Sequence, residues 1–139
     1  MICFTTTALV RFAHVDAAGI VFYPRYFEML NGAVEDWCAQ QLKADFRALH
    51  DMRGIGVPTV DLEAEFRSPS RLGDMLDIML VPLHVGRSSC RLELTFSCDG
   101  ETRLVARVTL VCTDLAAMRS TPWPDDIRAR MTGTAPVAA

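Results

Sequence analysis

The chain has 139 residues, half of them apolar and 22% charged. That is one folded domain, with no room for a second core. The formal charge is -3, from 14 basic and 17 acidic residues, which disfavours nucleic acid as a partner, because a polyphosphate binder of this size is usually basic. No apolar run approaches the ~18 residues a membrane helix needs, and no basic residue precedes the apolar start as in a secretory signal.

In chain order, residues 5–12 alternate as a first strand, and residues 13–22 form a glycine-bearing loop. Tyr23, Tyr26, Phe27, Leu30, Val34, Trp37 and Cys38 then recur at helical spacing as one apolar stripe. Pro24 suits a first helical turn, where its missing N–H has no intrahelical partner to lose. A helix from residue 24 to about 44 is expected, with a short helical piece from Phe46 to Met52.

Beyond Gly54 and Gly56 the period becomes two. Val60, Leu62, Ala64 and Phe66 share one face of a strand over 59–66, and a further strand spans 76–85. Cys90, Leu92, Leu94, Phe96 and Cys98 alternate with polar residues over 89–98. Asp99-Gly100 is a tight-hairpin signal, and the chain returns over 102–113. A terminal helix runs from Pro124 to Met131, and the tail from Thr132 to Ala139 is expected to be disordered. One domain thus covers 1–131, of α+β class. An antiparallel sheet of about five strands curls around one long helix.

Cys3, Cys38, Cys90, Cys98 and Cys112 include no C-x-x-C pair. They read as small hydrophobes in a reducing cytoplasm. Three histidines far apart do not suggest a metal site. The mean hydropathy of +0.19 is high for a small chain, and part of the apolar surplus is expected between subunits.

The chemistry concentrates just before the main helix. A helix start offers free backbone N–H groups and a partial positive charge, which would polarise a carbonyl oxygen placed there. Asp16 is close enough in sequence to reach the same carbonyl carbon, as nucleophile or through a water. On spacing alone, the first reading is that it only caps its own loop or the helix.

The stretch Asp16-Ala17-Ala18-Gly19-Ile20-Val21-Phe22-Tyr23-Pro24-Arg25-Tyr26 closely resembles the motif D-x-x-G-I/V-V-x-Y/H-x-x-Y. That motif marks hot-dog-fold acyl-CoA thioesterases of the 4-hydroxybenzoyl-CoA thioesterase type. Gly56-Val57-Pro58, Phe66-Arg67-Ser68-Pro69 with Gly73-Asp74, and Gly86-Arg87-Ser88-Ser89 extend the likeness from about Ala8 to Asp114.

The resemblance implies a hot-dog fold and hydrolysis of an acyl-CoA to free acid and coenzyme A. No metal and no cofactor is implied beyond the coenzyme A of the substrate. Asp16 occupies the catalytic carboxylate position, Tyr23 the position whose backbone N–H polarises the carbonyl, and Gly19 lets the loop pass the acyl group. His14 stands where many relatives carry a second acidic residue, and reads here as a loop residue.

Asn31, Val57 and Phe22 fall at acyl-group positions. Asn31 stands where the hydroxybenzoyl-specific enzyme has a carboxylate, and Val57 where it has an assisting threonine. Arg87, Ser88 and Ser89 match the turn that holds coenzyme A phosphates, whereas the remaining arginines read mostly as solvated. A homodimer or homotetramer with the site between subunits is implied. Two other readings of the fold are a dehydratase, for which no matching motif appears, and a non-catalytic acyl-binding module in which Asp16 is structural.

Overall fold

The computed structural model describes residues 2–133. A strand β1 (Phe4–Leu9) is followed by a single turn of 3-10 helix at Phe12–His14 and by the main helix α1 (Pro24–Gln40). A π-helical turn at Ala48–Met52 leads to β2 (Ile55–Gly56), β3 (Thr59–Phe66), β4 (Met75–Val85), β5 (Ser89–Cys98) and β6 (Glu101–Val111). The short strands β7 (Thr113–Asp114) and β8 (Arg119–Ser120) precede a closing helix α2 (Asp125–Thr132). Five strands form one antiparallel sheet in the order β1-β4-β5-β6-β3, and β2, β7 and β8 form a small second sheet.

Strands β5 and β6 each bury one face. Leu92, Leu94, Phe96, Leu104, Ala106 and Val108 are all fully buried, and they meet in register as Leu92↔Val108, Leu94↔Ala106 and Phe96↔Leu104. Against this surface α1 lays Tyr26, Met29, Leu30, Ala33, Val34, Trp37 and Cys38. The turn at Asp99-Gly100 has both φ values positive, 50° and 80°, as a two-residue hairpin loop matched to the strand twist requires.

Four boundaries differ from expectation. The first strand ends at Leu9, because Val10 is pinned through its amide to Asp74 O and its carbonyl to Gly73 N. Helix α1 ends at Gln40, not near 44: Leu42 and Ala44 keep the apolar pattern and are buried, but Lys43 turns to φ 58°. The last long strand breaks after Val111, where the chain crosses into the small sheet at Thr113. Thr132 belongs to α2, and Gly133 caps it with φ 76°. The rest of the expected tail lies outside the described residues.

The apolar stripe of α1 is also rotated from expectation. Tyr23 is 59% exposed, Phe27 is half-buried, and Met29 and Ala33 take inward places. The largest difference concerns β3, whose eight residues are all exposed. Leu62, Ala64 and Phe66 pair with the inward-facing Val108, Ala106 and Leu104, so they do point to the helix side. Helix α1 lies against β1 and β4 and leaves the β3 end of the sheet uncovered. An open seam between α1 and the edge strand results.

Candidate active site

Residues 14–22 form a tight hairpin. Val15 bridges Val21, Asp16 N donates to Ile20 O at 3.0 Å, Gly19 N donates to Asp16 O at 3.0 Å, and Phe22 N donates to His14 O at 2.9 Å. Gly19 sits at φ 79°, a left-handed conformation that glycine adopts without steric cost. The hairpin is anchored to the turn after β3, with Val21 N on Ser70 O at 2.9 Å and Ile20 bridging Arg71. His14 accepts the Arg11 amide on Nδ1 at 2.8 Å, which ties it to its own loop.

Asp16 is exposed on this hairpin. Its Oδ1 accepts the Ala18 amide at 2.9 Å, so the carboxylate does cap its loop. The second oxygen has no hydrogen-bond partner among the described residues and can accept one from substrate or water. Capping and catalysis are therefore compatible: the cap fixes the direction of the carboxylate.

The hairpin delivers the chain directly into α1. Pro24 has no N–H, Arg25 N donates to Phe22 O at 2.8 Å, and Tyr26 N donates to Tyr23 O at 3.1 Å. Among the described residues the Tyr23 amide meets no acceptor. One free amide at the positive end of a helix is the element that a carbonyl oxygen needs for polarisation.

Two depressions follow the α1–β3 seam. A cleft of about 330 Å³ at the helix start is lined by Ile20, Val21, Tyr23, Tyr26 and residues 66–69. A groove of about 540 Å³ further along is lined by Phe27, Leu30, Asn31, Val34, Phe46, residues 57–59, Leu62 and Leu110. Asn31 and Val57, expected at the acyl group, thus come together in one groove. A helical wheel sets Asn31 within the apolar stripe, between Phe27 and Val34, but the residue is exposed at the groove wall. Phe22 lines neither depression; it is 49% exposed, with its ring centroid 5.6 Å from that of Tyr23.

Arg87, Ser88 and Ser89 lie at the opposite end of the sheet. Asp16 and its anchor at Ser70 sit beyond Phe66, which pairs with Leu104, whereas Ser89 pairs with Val111 and Cys90 with Leu110. The turn is latched by the residue after β6, by α2 and by its approach: Cys112 N donates to Ser88 O and Trp123 N to Arg87 O, and Arg128 donates to Gly86 O. The Arg87 side chain is exposed and makes no hydrogen bond or ion pair among the described residues, so it is available to an anion.

Arg103 departs from the solvated reading of the arginines. Its side chain is 11% exposed, and it donates to Asp74 Oδ2 at 2.8 Å and to Pro69 O at 3.0 Å. Its Nε lies 2.8 Å from Glu101 Oε1 as a charge contact. Asp74 also accepts the Arg71 amide at 2.9 Å. That amide first, and the Arg103 guanidinium second, hold the Asp74 carboxyl below its ordinary range. This network braces the turn on which the Asp16 hairpin rests, and no local pattern in the sequence marks it. Among the described residues no group of three or more His, Cys, Asp or Glu side chains is arranged to hold a metal ion.

Residues 10–131 match the model of the thioesterase-like superfamily. A 1,4-dihydroxy-2-naphthoyl-CoA hydrolase of Thermosynechococcus vestitus is 31% identical over 121 residues, spanning 86% of this chain and 82% of that protein. The solved structure of a gentisyl-coenzyme A thioesterase superposes with a TM-score of 0.83 at 26% identity, covering 90% of this chain and 99% of that one. A thioesterase superfamily structure from Jannaschia gives a TM-score of 0.88 at 25% identity, covering 97% of this chain and 94% of that one. With the helix wrapped by the antiparallel sheet and the motif around Asp16 in place, this chain belongs to the thioesterase-like superfamily and is a hot-dog-fold thioester hydrolase.

Proposed function

We propose that the protein hydrolyses an aryl acyl-CoA, with Asp16 as the reacting carboxylate and the Tyr23 amide as the carbonyl-binding group. The observation that carries this reading is the hairpin–helix junction: an oriented carboxylate with one oxygen open, on the hairpin that leads into a helix start whose Tyr23 amide has no acceptor among the described residues. Asp16 either attacks the thioester carbon and forms an anhydride that water opens, or takes a proton from water as the water attacks. In both routes the C–S bond breaks and the products are the free acid and the coenzyme A thiol. The amide at Tyr23 stabilises the oxyanion as the carbonyl becomes tetrahedral.

The groove favours a flat apolar acyl group. Asn31 and Thr59 are its polar side chains, and it has no charged one. An amide can donate to or accept from a ring hydroxyl without the desolvation cost of a carboxylate. The naphthoyl-CoA and gentisyl-CoA relatives act on acyl groups of that kind.

The active unit on this reading is at least a dimer. Strand β3 is a sheet edge with Val60, Leu62 and Phe66 exposed at 61%, 42% and 50%, and an uncovered apolar edge is a pairing surface. Antiparallel pairing of β3 with a second copy sets the Thr59 end of one chain beside the Phe66 end of the other. The Arg87 turn of one chain then approaches the Asp16 hairpin of the other, and its guanidinium would hold a coenzyme A phosphate. The free thiols suit a reducing cytoplasm.

Release of free thiol from hydroxynaphthoyl-, benzoyl- and straight-chain acyl-CoAs tests the substrate. Aryl substrates should give the higher kcat/KM, and equal or better hydrolysis of straight chains overturns the aryl reading. Sedimentation of Val60→Asp tests the assembly. The wild type should be dimeric or larger, and the variant should dissociate and lose activity. A concentration-independent wild-type monomer that hydrolyses the substrate would contradict it.

A further inference from the structure

The reading just given puts the carboxylate on a hairpin and the carbonyl-binding amide on a helix, so catalysis depends on how those two elements are held together. Ser70, in the turn after β3, is fully buried at 0% exposure. Its backbone oxygen accepts the Val21 amide at 2.9 Å, on the hairpin that carries Asp16. Its Oγ accepts the Tyr26 hydroxyl at 2.9 Å, one helical turn beyond Tyr23. One buried serine therefore grips both catalytic elements.

We propose that Ser70 and Tyr26 are a positioning pair for the hydrolysis, whose hydroxyl–hydroxyl bond sets the helix start against the Asp16 hairpin. The inference rests on the thioesterase reading above. Tyr26 is buried at 3% exposure, and its ring is held independently, edge-on to Phe96 with centroids 5.9 Å apart and planes at 90°. Loss of the hydroxyl therefore leaves the ring in place and releases only the bond to Ser70. The helix start can then shift relative to the hairpin, and small errors in the placement of reacting groups cost rate far more than they cost binding.

The competing role is that of an ordinary helix–sheet hydrogen bond, and the fold supplies its control. Thr6 Oγ1 donates to Asp36 Oδ2 at 2.9 Å, joining β1 to α1 well away from the hairpin. Full-length Tyr26→Phe, Ser70→Ala, their double variant and Thr6→Val should be compared in steady-state hydrolysis of the best acyl-CoA, with thermal melts alongside. Each single variant at the pair should lower kcat roughly 10- to 100-fold with KM within about twofold. The double variant should be no slower than the slower single one, because the pair acts as a unit. Thr6→Val should lose melting temperature but keep kcat.

Ser70→Ala leaves the ring untouched and carries the test if Tyr26→Phe unfolds. An unchanged kcat in folded Tyr26→Phe or Ser70→Ala overturns the positioning role, as does a double variant whose losses multiply. A wild type that hydrolyses no acyl-CoA removes the thioesterase reading itself, and this inference with it.

Discussion

Gly19 offers a test that separates backbone conformation from space at the site. It holds φ 79° at the tip of the Asp16 hairpin, and a Cβ placed on it would meet nothing within 4 Å. Alanine there would clash with nothing in the chain, so its cost is the left-handed conformation alone, about 1–2 kcal/mol. For a chain of this length the entropy of unfolding gives about 0.3 kcal/mol per degree, so Gly19→Ala should melt about 3–7 °C lower.

Asparagine tolerates the left-handed region better than alanine, although it is larger. If the glycine serves conformation, Gly19→Asn should melt closer to the wild type than Gly19→Ala and keep more kcat/KM. If it serves close approach of the acyl group, asparagine should be the slower enzyme despite its better stability. Thermal melts with matched kinetics read both. An alanine variant that melts with the wild type would refute the hairpin geometry from which this reasoning starts.

Asn31→Ala should change the ratio of kcat/KM between hydroxylated and plain aryl acyl-CoAs by roughly 5- to 100-fold, one lost hydrogen bond's worth, while the best plain substrate keeps its rate. Cys38 and Cys90 have thiol pKa values pushed up to about 12, and Cys112 to about 11, all by burial first. A disulfide exchange reagent at mildly alkaline pH should therefore react at once with Cys3 alone, and with all five cysteines after denaturation. More than one fast thiol in the native protein would contradict the burial. Asp74 has its folded pKa lowered, by the Arg71 amide and then by Arg103. Its stabilisation is thus present above the unfolded value of about 3.9 and disappears as pH falls through the lower folded value. Asp74→Asn should flatten the acid limb of stability measured by urea unfolding; Asp126, lowered by Arg53, should leave part of that limb in place.

What could be read in the sequence followed burial. Strands β5 and β6 alternate because one face is buried in the core, and from Cys90↔Leu110 to Phe96↔Leu104 their register keeps buried residues opposite buried ones. The end of α1 was hidden because Leu42 and Ala44 continue an apolar rhythm after the helix has closed. The only break is a lysine at φ 58°, a residue that does not advertise that conformation. For β3 the alternation gives the correct face but not its exposure, since periodicity cannot say whether a face is covered by the same chain.

The site divides in the same manner. Asp16, Gly19 and Tyr23 are close in sequence and were legible as a motif. Asn31 and Val57, far apart in sequence, line one groove. The distance between Asp16 and Arg87 could not be read, because it depends on the register of β3, β6 and β5 together. Ser70 with Tyr26, and Asp74 with Arg103, are contacts across 44 and 29 residues. Each joins ordinary residue types, so only the folded chain brings them together.

The central claim is that Asp16 reacts rather than merely caps its loop. Asp16→Asn keeps the size and keeps an oxygen that can accept the Ala18 amide, while it removes the charge. Free-thiol release by folded Asp16→Asn from the best aryl acyl-CoA is the direct measurement. A fall in kcat of roughly 100-fold or more, with a melting temperature near that of the wild type, is the result predicted. Near-normal hydrolysis by the folded variant would make Asp16 a structural cap and contradict the mechanism.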